Sequence, residues 1–248
     1  MRSDLDMLMK KKDLDAILVL GSAMHNPAMV YMTGGGHVSD AVLIKKQGEP
    51  AVIHCGDMER EEAARSGLKV IPYSTYPWQK LLEQAGGNIA LMSAMRMKLM
   101  LDDNGVHAGR VGVYGTIDFG SMLAVFALLR PMVPQLQFVG ETRAASIFMI
   151  AQETKDEAEV AHIRKMGQVT TTVVGRVAGY LASCAVRQDE VLLMDDGSPL
   201  TIGHIKSRIN LWLAELGAEN PEGTIFAIGR DAGIPHSSGT DSDLLRLG

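Results

Sequence analysis

Cysteine is scarce in this chain. Only Cys55 and Cys184 occur in 248 residues, far apart and each among apolar or small neighbours. A disulfide framework is therefore excluded as the organising device, and reduced, partly buried thiols are expected. Long hydrophobic runs are missing too. None reaches the roughly 20 residues that a bilayer span needs, and Met1 to Lys12 is amphipathic and charged, unlike a signal peptide. No membrane partner is expected, and a cytoplasmic location is the simplest reading. Positive charge is not in excess: 24 Lys and Arg stand against 29 Asp and Glu, a formal net charge of −5. Nucleic acid needs a clustered positive field, so it is set aside as a partner. The run Lys10-Lys11-Lys12 reads as a solvated helix end. Several catalytic signatures are also absent: G-x-G-x-x-G, a P-loop ending in Gly-Lys-Ser/Thr, the G-x-S-x-G elbow and H-E-x-x-H.

What is present is a globular composition, 46% hydrophobic and 21% charged, with chain enough for two compact domains. The sixteen methionines fall mostly at apolar positions and read as core filling. Asp4 to Lys12 reads as a helix with Leu5, Leu8 and Met9 on one face. Asp15 to Leu20 is an apolar run of strand length, and Met29 to Met32 is a second candidate strand. Val38 to Lys46 and Pro50 to Cys55 read as a hairpin closed at Gln47-Gly48-Glu49. Asp57 to Ser66 follows as a charged helix with Asp57 as its cap. Strands are expected at Lys69 to Tyr73, Arg110 to Tyr114 and Leu136 to Val139. Helices are expected at Trp78 to Gln84, Leu91 to Leu101 and Phe119 to Leu129. Alternating strands and helices with one hairpin predict an α/β domain built on a mixed sheet.

A boundary is expected near Ala151 to Thr154, dividing the chain into 1–151 and 152–248. Thr154-Lys-Asp-Glu157 fits a capping box. Behind it a long helix shows Val160, Ile163, Met166, Thr170, Val173, Val177 and Leu181 at helical spacing. A turn at Asp195 to Pro199, a helix over Ile202 to Leu216 and a strand over Thr224 to Ile228 complete the pattern.

Several polar groups need weighing. Gly34-Gly35-Gly36 follows an apolar run, but without a P-loop ending it is a poor phosphate cradle. Gly109, Gly112 and Gly115, spaced by threes, do not fit a nucleotide fingerprint. Asp195, Asp196 and His204 are explained by a turn leading into a helix. His25, His37, His54, His107 and His162 lack ligand spacing and read as surface or satisfied core residues. Asp231, His236, Asp241 and Asp243 gather among small residues. They suit a metal or acid/base site, with a polar loop as the plainer alternative.

Four segments resemble one family, in the right order. Gly229-Arg-Asp-Ala232-Gly-Ile-Pro235-His236 resembles the G-x-x-A-x-x-P-H segment of the aminopeptidase P and creatinase group, the pita-bread metallopeptidases. Arg143 to Gly167 resembles that family's passage into its catalytic domain, through Arg143, Glu153 to Glu157, Glu159, Ile163, Arg164 and Lys165. Leu14 to Val19 and Tyr31-Met32-Thr33-Gly34 resemble its "L-D-A-hydrophobic" strand and "Y-L-T-G" motif. The resemblance implies a creatinase-like N-terminal domain over 1–151 and the first part of an α+β pita-bread domain over 152–248.

It further implies a metal-dependent peptidase that removes an N-terminal residue preceding proline. Such a parent would hold two divalent ions, Mn, Co or Zn, act on a peptide substrate and form a homodimer. A non-catalytic peptide- or protein-binding relative and a creatinase-like C–N hydrolase are the alternatives. The family's metal-binding aspartates begin on a strand after the P-H segment, and the chain reaches Gly248 about where that strand opens. Asp241 and Asp243 lie upstream of it, so no metal ligand is assigned here. No ion is expected in this chain, and the chain alone is expected to be inactive. The one site residue carried over is His236, a catalytic histidine that would donate to the substrate or its oxyanion. Imidazole suits that task because it titrates near neutrality.

Overall fold

Six consecutive buried residues form β1 (Ala16–Gly21). Such a strand can exist only where both faces of its sheet are covered, which is why its sequence is continuously apolar. The computed structural model describes residues 4–247. In it β1 lies inside a six-stranded mixed sheet of order β4-β3-β2-β1-β5-β6. β2 (Ala41–Lys46) and β3 (Val52–Cys55) form the expected antiparallel hairpin, and β2 pairs antiparallel with β1. β4 (Lys69–Pro72) runs parallel to β3. β5 (Gly109–Thr116) and β6 (Leu136–Val139) extend the other side in parallel.

Period-two alternation sorts the strand residues into two cores. Ile17, Val19, Leu43 and Ile53 face one side. There they meet α1 (Asp4–Lys11), α2 (Pro27–Thr33) and α7 (Ile147–Ala151). Leu18, Leu20, Val42 and Ile44 face the other. Their cover comes from α4 (Trp78–Gln84), α5 (Ile89–Asp103) and α6 (Phe119–Leu129). Leu5, Leu8 and Met9 are the buried face of α1, as their spacing predicts. Lys45 is buried but paired with Asp6 at 2.7 Å, which answers the cost of its charge.

Two expected elements of this region differ. Met29 to Met32 is not a strand but lies inside α2. Asn26 accepts from the Met29 N–H at 3.3 Å, Pro27 occupies the first turn, and Gly34 closes the helix at φ +81°. These end signals outweigh a short apolar run. Asp57 does not cap the charged helix. A 3₁₀ turn, Asp57–Glu59, precedes α3 (Arg60–Ala64), and Asp57 accepts instead from the Ser74 backbone and hydroxyl.

Asn26 is almost wholly buried and also donates to the Leu20 carbonyl at 2.8 Å, tying α2 to the end of β1. Asn26→Ala removes a helix cap and a buried hydrogen bond to the Leu20 carbonyl. A loss of about 2 kcal/mol is expected, read from urea unfolding. A loss below about 0.5 kcal/mol would mean the cap is dispensable.

The chain divides into two compact units between Lys155 and Asp156. α7 belongs to the first, burying Ile147, Phe148 and Ala151. The second opens on α8 (Glu157–Ser183). Its capping box is Asp156 with Glu159, not Thr154 with Glu157: the Glu159 N–H reaches Asp156 at 2.9 Å and the Asp156 N–H reaches Glu159 at 3.1 Å. Both frames satisfy the sequence pattern, and the later one forms. Of α8 only Val169 and Val173 are buried, while Val160 and Ile163 of the expected apolar face are 40% and 55% exposed.

α8 packs on α9 (Ile202–Glu215), whose Ile202, Ile205 and Ile209 are buried and whose cap is Thr201. The short pair β7 (Ala185–Val186) and β8 (Leu192–Leu193) lies beside the segment 241–247. That segment is stitched in through Leu192 N–H to Leu245 O and Leu245 N–H to Leu200 O, both 2.9 Å. Thr224 to Ile228 forms no strand. Phe226 N–H reaches Ser238 O at 3.3 Å, but no ladder follows, and a strand exists only with a paired neighbour. Among the described residues no helix is long and apolar enough to cross a membrane.

Candidate functional site

The segment carrying His236 is shaped by its small and cyclic residues. α10 (Gly229–Ala232) is a single turn, entered through Gly229 at φ +54°. Ile234-Pro235-His236-Ser237 then forms a β-turn closed by Ser237 N–H to Ile234 O at 3.1 Å. Pro235 fixes the first corner and His236 takes the second at φ +64°, the positive-φ position of a type II turn. Histidine tolerates this region better than most side chains, though at a cost on the order of 1 kcal/mol. The turn leaves His236 exposed and, among the described residues, without a hydrogen-bond partner.

The loop behind the turn is held firmly. Gly239 passes so close to Phe226 that a Cβ would stand 2.2 Å from the Phe226 carbonyl oxygen. Lys206 Nζ donates to Asp241 at 2.8 Å and to the Gly239 carbonyl at 3.2 Å. Asp231 accepts from the Thr240 hydroxyl at 3.2 Å. Asp231 and Asp243 line one cavity of about 500 Å³ with Arg230, Thr240 and Arg246. His236 is not part of its wall.

The sequence cluster is therefore split: Asp231 and Asp243 share a cavity, Asp241 is committed to Lys206, and His236 projects from a turn. Among the described residues no three His, Cys, Asp or Glu side chains come together to hold a metal. The described side chains do not fit a two-metal centre.

The other polar groups have structural tasks. Asp196 accepts from the Ser198 backbone and hydroxyl, at 2.9 and 2.5 Å, and these bonds hold its carboxyl below the usual range. His204 lies 3.1 Å from the capping hydroxyl of Thr201. Gly34, Gly35 and Gly36 all have positive φ, and the acidic Glu62 approaches Gly36, which suits chain reversal and not phosphate. Cys55 is fully buried, and burial pushes its thiol up to about 11, far from a reactive thiolate. Cys184 is half-buried and donates to the Tyr180 carbonyl.

One polar network escaped the sequence reading. His54 on β3 is fully buried, with Nε2 3.0 Å from Asn104 Nδ2 and Nδ1 3.5 Å from the Tyr76 hydroxyl. Tyr76 in turn donates to Asp103 at 2.8 Å. The available signal was period two: His54 pairs with Val42 in the sheet, and both belong to the inward-facing set.

No family model matches the chain, and no curated protein matches it. Solved structures do. A dipeptidase from Pyrococcus horikoshii OT3 superposes with a TM-score of 0.63 at 16% identity, covering 100% of this chain and 59% of its own. An X-Pro aminopeptidase from Thermotoga maritima MSB8 gives 0.61 at 14% identity, covering 100% and 58%. The N-terminal domain of the FACT complex subunit SPT16 from chickpea, Cicer arietinum, gives 0.51 at 12% identity, covering 87% and 50%. The chain thus spans less than three fifths of the first two structures. Its fold is that of the aminopeptidase P-like proteins.

Proposed function

We propose that this chain is the N-terminal domain and the opening of the catalytic domain of a peptidase acting on Xaa-Pro peptides. The observation that carries the reading is that a dipeptidase and an X-Pro aminopeptidase match both units along the whole chain, 100% of it in each case. The Pro235-His236 turn supports it locally. A rigid type II turn presents an imidazole to solvent, beside residues small enough to admit a ligand: Gly233, Ser237 and Ser238. In that role His236 donates a hydrogen bond or a proton to the substrate or to the oxyanion that forms on it. The parent protein would use two divalent ions, Mn, Co or Zn, supplied with ligands beyond those described here, and would act as a cytoplasmic homodimer.

In the parent protein, His236→Ala is expected to lower kcat on an Xaa-Pro peptide about 100-fold, the scale of a positioned acid/base group. Metal content and fold should be nearly unchanged. Wild-type turnover would take His236 out of the mechanism, and loss of the metals would make it a ligand.

A second reading, non-catalytic binding of a peptide or protein, is supported by the likeness to the FACT subunit domain. Peptide bound without turnover in the metal-supplemented parent protein would favour it.

A further inference from the structure

The first unit carries a second polar site, remote in the sequence from His236. β1 and β5 end side by side at Gly21 and Thr116, β2 begins beside them at Ala41, and β4 ends at Pro72. At this edge, on the face covered by α5 and α6, lies a cavity of about 210 Å³. Leu20, Val42, Met97 and Val125 give it an apolar floor. Asp40, Arg96 and Tyr73 bring unlike polar groups to the same walls.

These groups are not paired with one another. The Arg96 guanidinium lies over the Tyr73 ring, 4.3 Å from its centroid, and 5.9 Å from that of Trp78. Stacking of this kind holds the plane and leaves the N–H edge available for bidentate recognition of a carboxylate. Among the described residues Arg96 makes no hydrogen bond or ion pair, and neither does Asp40, though each feels the other's charge. Asp40 sits exposed at the rim, crowded enough that burial, more than the charge of Glu59, pushes its carboxyl above the usual range. The Tyr73 hydroxyl is buried without a partner. A cation and an anion on one small cavity with an apolar floor, unpaired with each other, leave both charges free to take their counter-groups from a ligand.

The geometry points to a binding site for a small zwitterion, an α-amino acid with an apolar side chain. Its carboxylate lies on Arg96, its ammonium against Asp40 and its side chain on the floor. The cavity holds the volume of roughly seven waters, which suits a molecule of that size and excludes a folded partner.

Calorimetric titration of the whole chain with L-leucine tests this, beside isocaproate, which lacks the amine, and isopentylamine, which lacks the carboxylate. Leucine is expected to bind at least about tenfold more tightly than either, the worth of one charged hydrogen-bonded contact. Asp40→Asn should cut leucine affinity about tenfold and leave isocaproate unchanged, while Arg96→Gln should weaken both acids. Asp40 is exposed, so its variant keeps the fold, and it decides the question if Arg96→Gln lowers thermal stability. Absence of leucine binding at millimolar concentration, equal binding of all three compounds, or indifference of leucine to Asp40→Asn would overturn the proposal.

Discussion

Gly115→Ala is expected to remove at least about 4 kcal/mol from the Met1–Lys155 unit, a large share of the roughly 5–15 kcal/mol of an ordinary domain. Gly115 stands opposite Leu20 in the parallel pair β1–β5, at φ +123°. A Cβ there would lie 2.1 Å from the Leu20 carbonyl oxygen and 2.8 Å from its nitrogen. Both atoms are backbone in the middle of the sheet and cannot move aside as a side chain can. Gly21 repeats the arrangement from the other strand, its added Cβ 2.3 Å from the Thr116 carbonyl oxygen at φ +103°. The two strands meet closely at this edge because each supplies a glycine. Gly112 offers the contrast: its added Cβ would meet the Tyr114 ring at 2.8 Å and a Leu14 methyl at 3.1 Å, both side chains. Gly112→Ala should therefore cost less than half as much. Urea unfolding of the two variants checks the ranking, and a Gly115→Ala loss within about 1 kcal/mol of zero would show that the spacing is not needed.

These glycines also mark what the sequence could and could not disclose. Spaced by threes, Gly109, Gly112 and Gly115 fit no phosphate motif, and their real task concerns close neighbours in space: Asp15 and Leu20, about a hundred positions away, and Tyr114 on the same strand. The strands themselves were legible as short apolar runs, because β1, β2 and β3 are buried on both faces of the sheet. α6 and β6 lie at their expected bounds, Phe119–Leu129 and Leu136–Val139, with Asp118 capping the helix at 2.8 Å. α2 was misread because four apolar residues carry no period of their own, while the Asn26-Pro27 cap signal stood just before them. The expected strand at Thr224 to Ile228 failed for a different reason. Strand character in a sequence is necessary, but pairing is supplied by another segment.

The candidate site was legible only as a position. The order of Gly229, Ala232, Pro235 and His236 located the turn, and Pro235 foretold a restricted backbone. The dispersal of Asp231, Asp241 and Asp243 was hidden, because Lys206, the partner that claims Asp241, sits 35 residues upstream. The His54 network was hidden likewise: its partners Tyr76 and Asn104 are 22 and 50 residues away and arrive only when β3 packs under α5. Histidines scattered in a sequence carry no information about such meetings.

That network makes the first unit sensitive to mild acid. Asn104 is oriented by its bond to the Met100 carbonyl at 2.7 Å, so its amide donates to His54 Nε2 and leaves the imidazole proton on Nδ1, toward Tyr76. A second proton would have to sit on Nε2 facing a donor, on a fully buried side chain. Burial accordingly lowers His54 from 6.5 to about 4, with the attraction of Asp103 opposing and the charge of Lys69 assisting. Between those values the unfolded chain binds the proton and the folded chain does not, so stability rises with pH. The contribution is whole above pH 6.5 and is lost as pH falls toward about 4, amounting to about 3 kcal/mol across that window. Asp6 acts elsewhere. Burial raises it, but the bonds from Lys45 and Gly48 leave it below its ordinary 3.8, so its loss comes in stronger acid. Asp40 has the opposite sign, since its raised carboxyl is relieved by protonation. His54→Gln separates these effects, because glutamine preserves an amide hydrogen bond and cannot titrate. The expected result is a steep fall in unfolding free energy for the wild type between pH 6.5 and 4 and a nearly flat profile for the variant. Parallel profiles would assign the acid sensitivity to the carboxylates and leave His54 without a part in it.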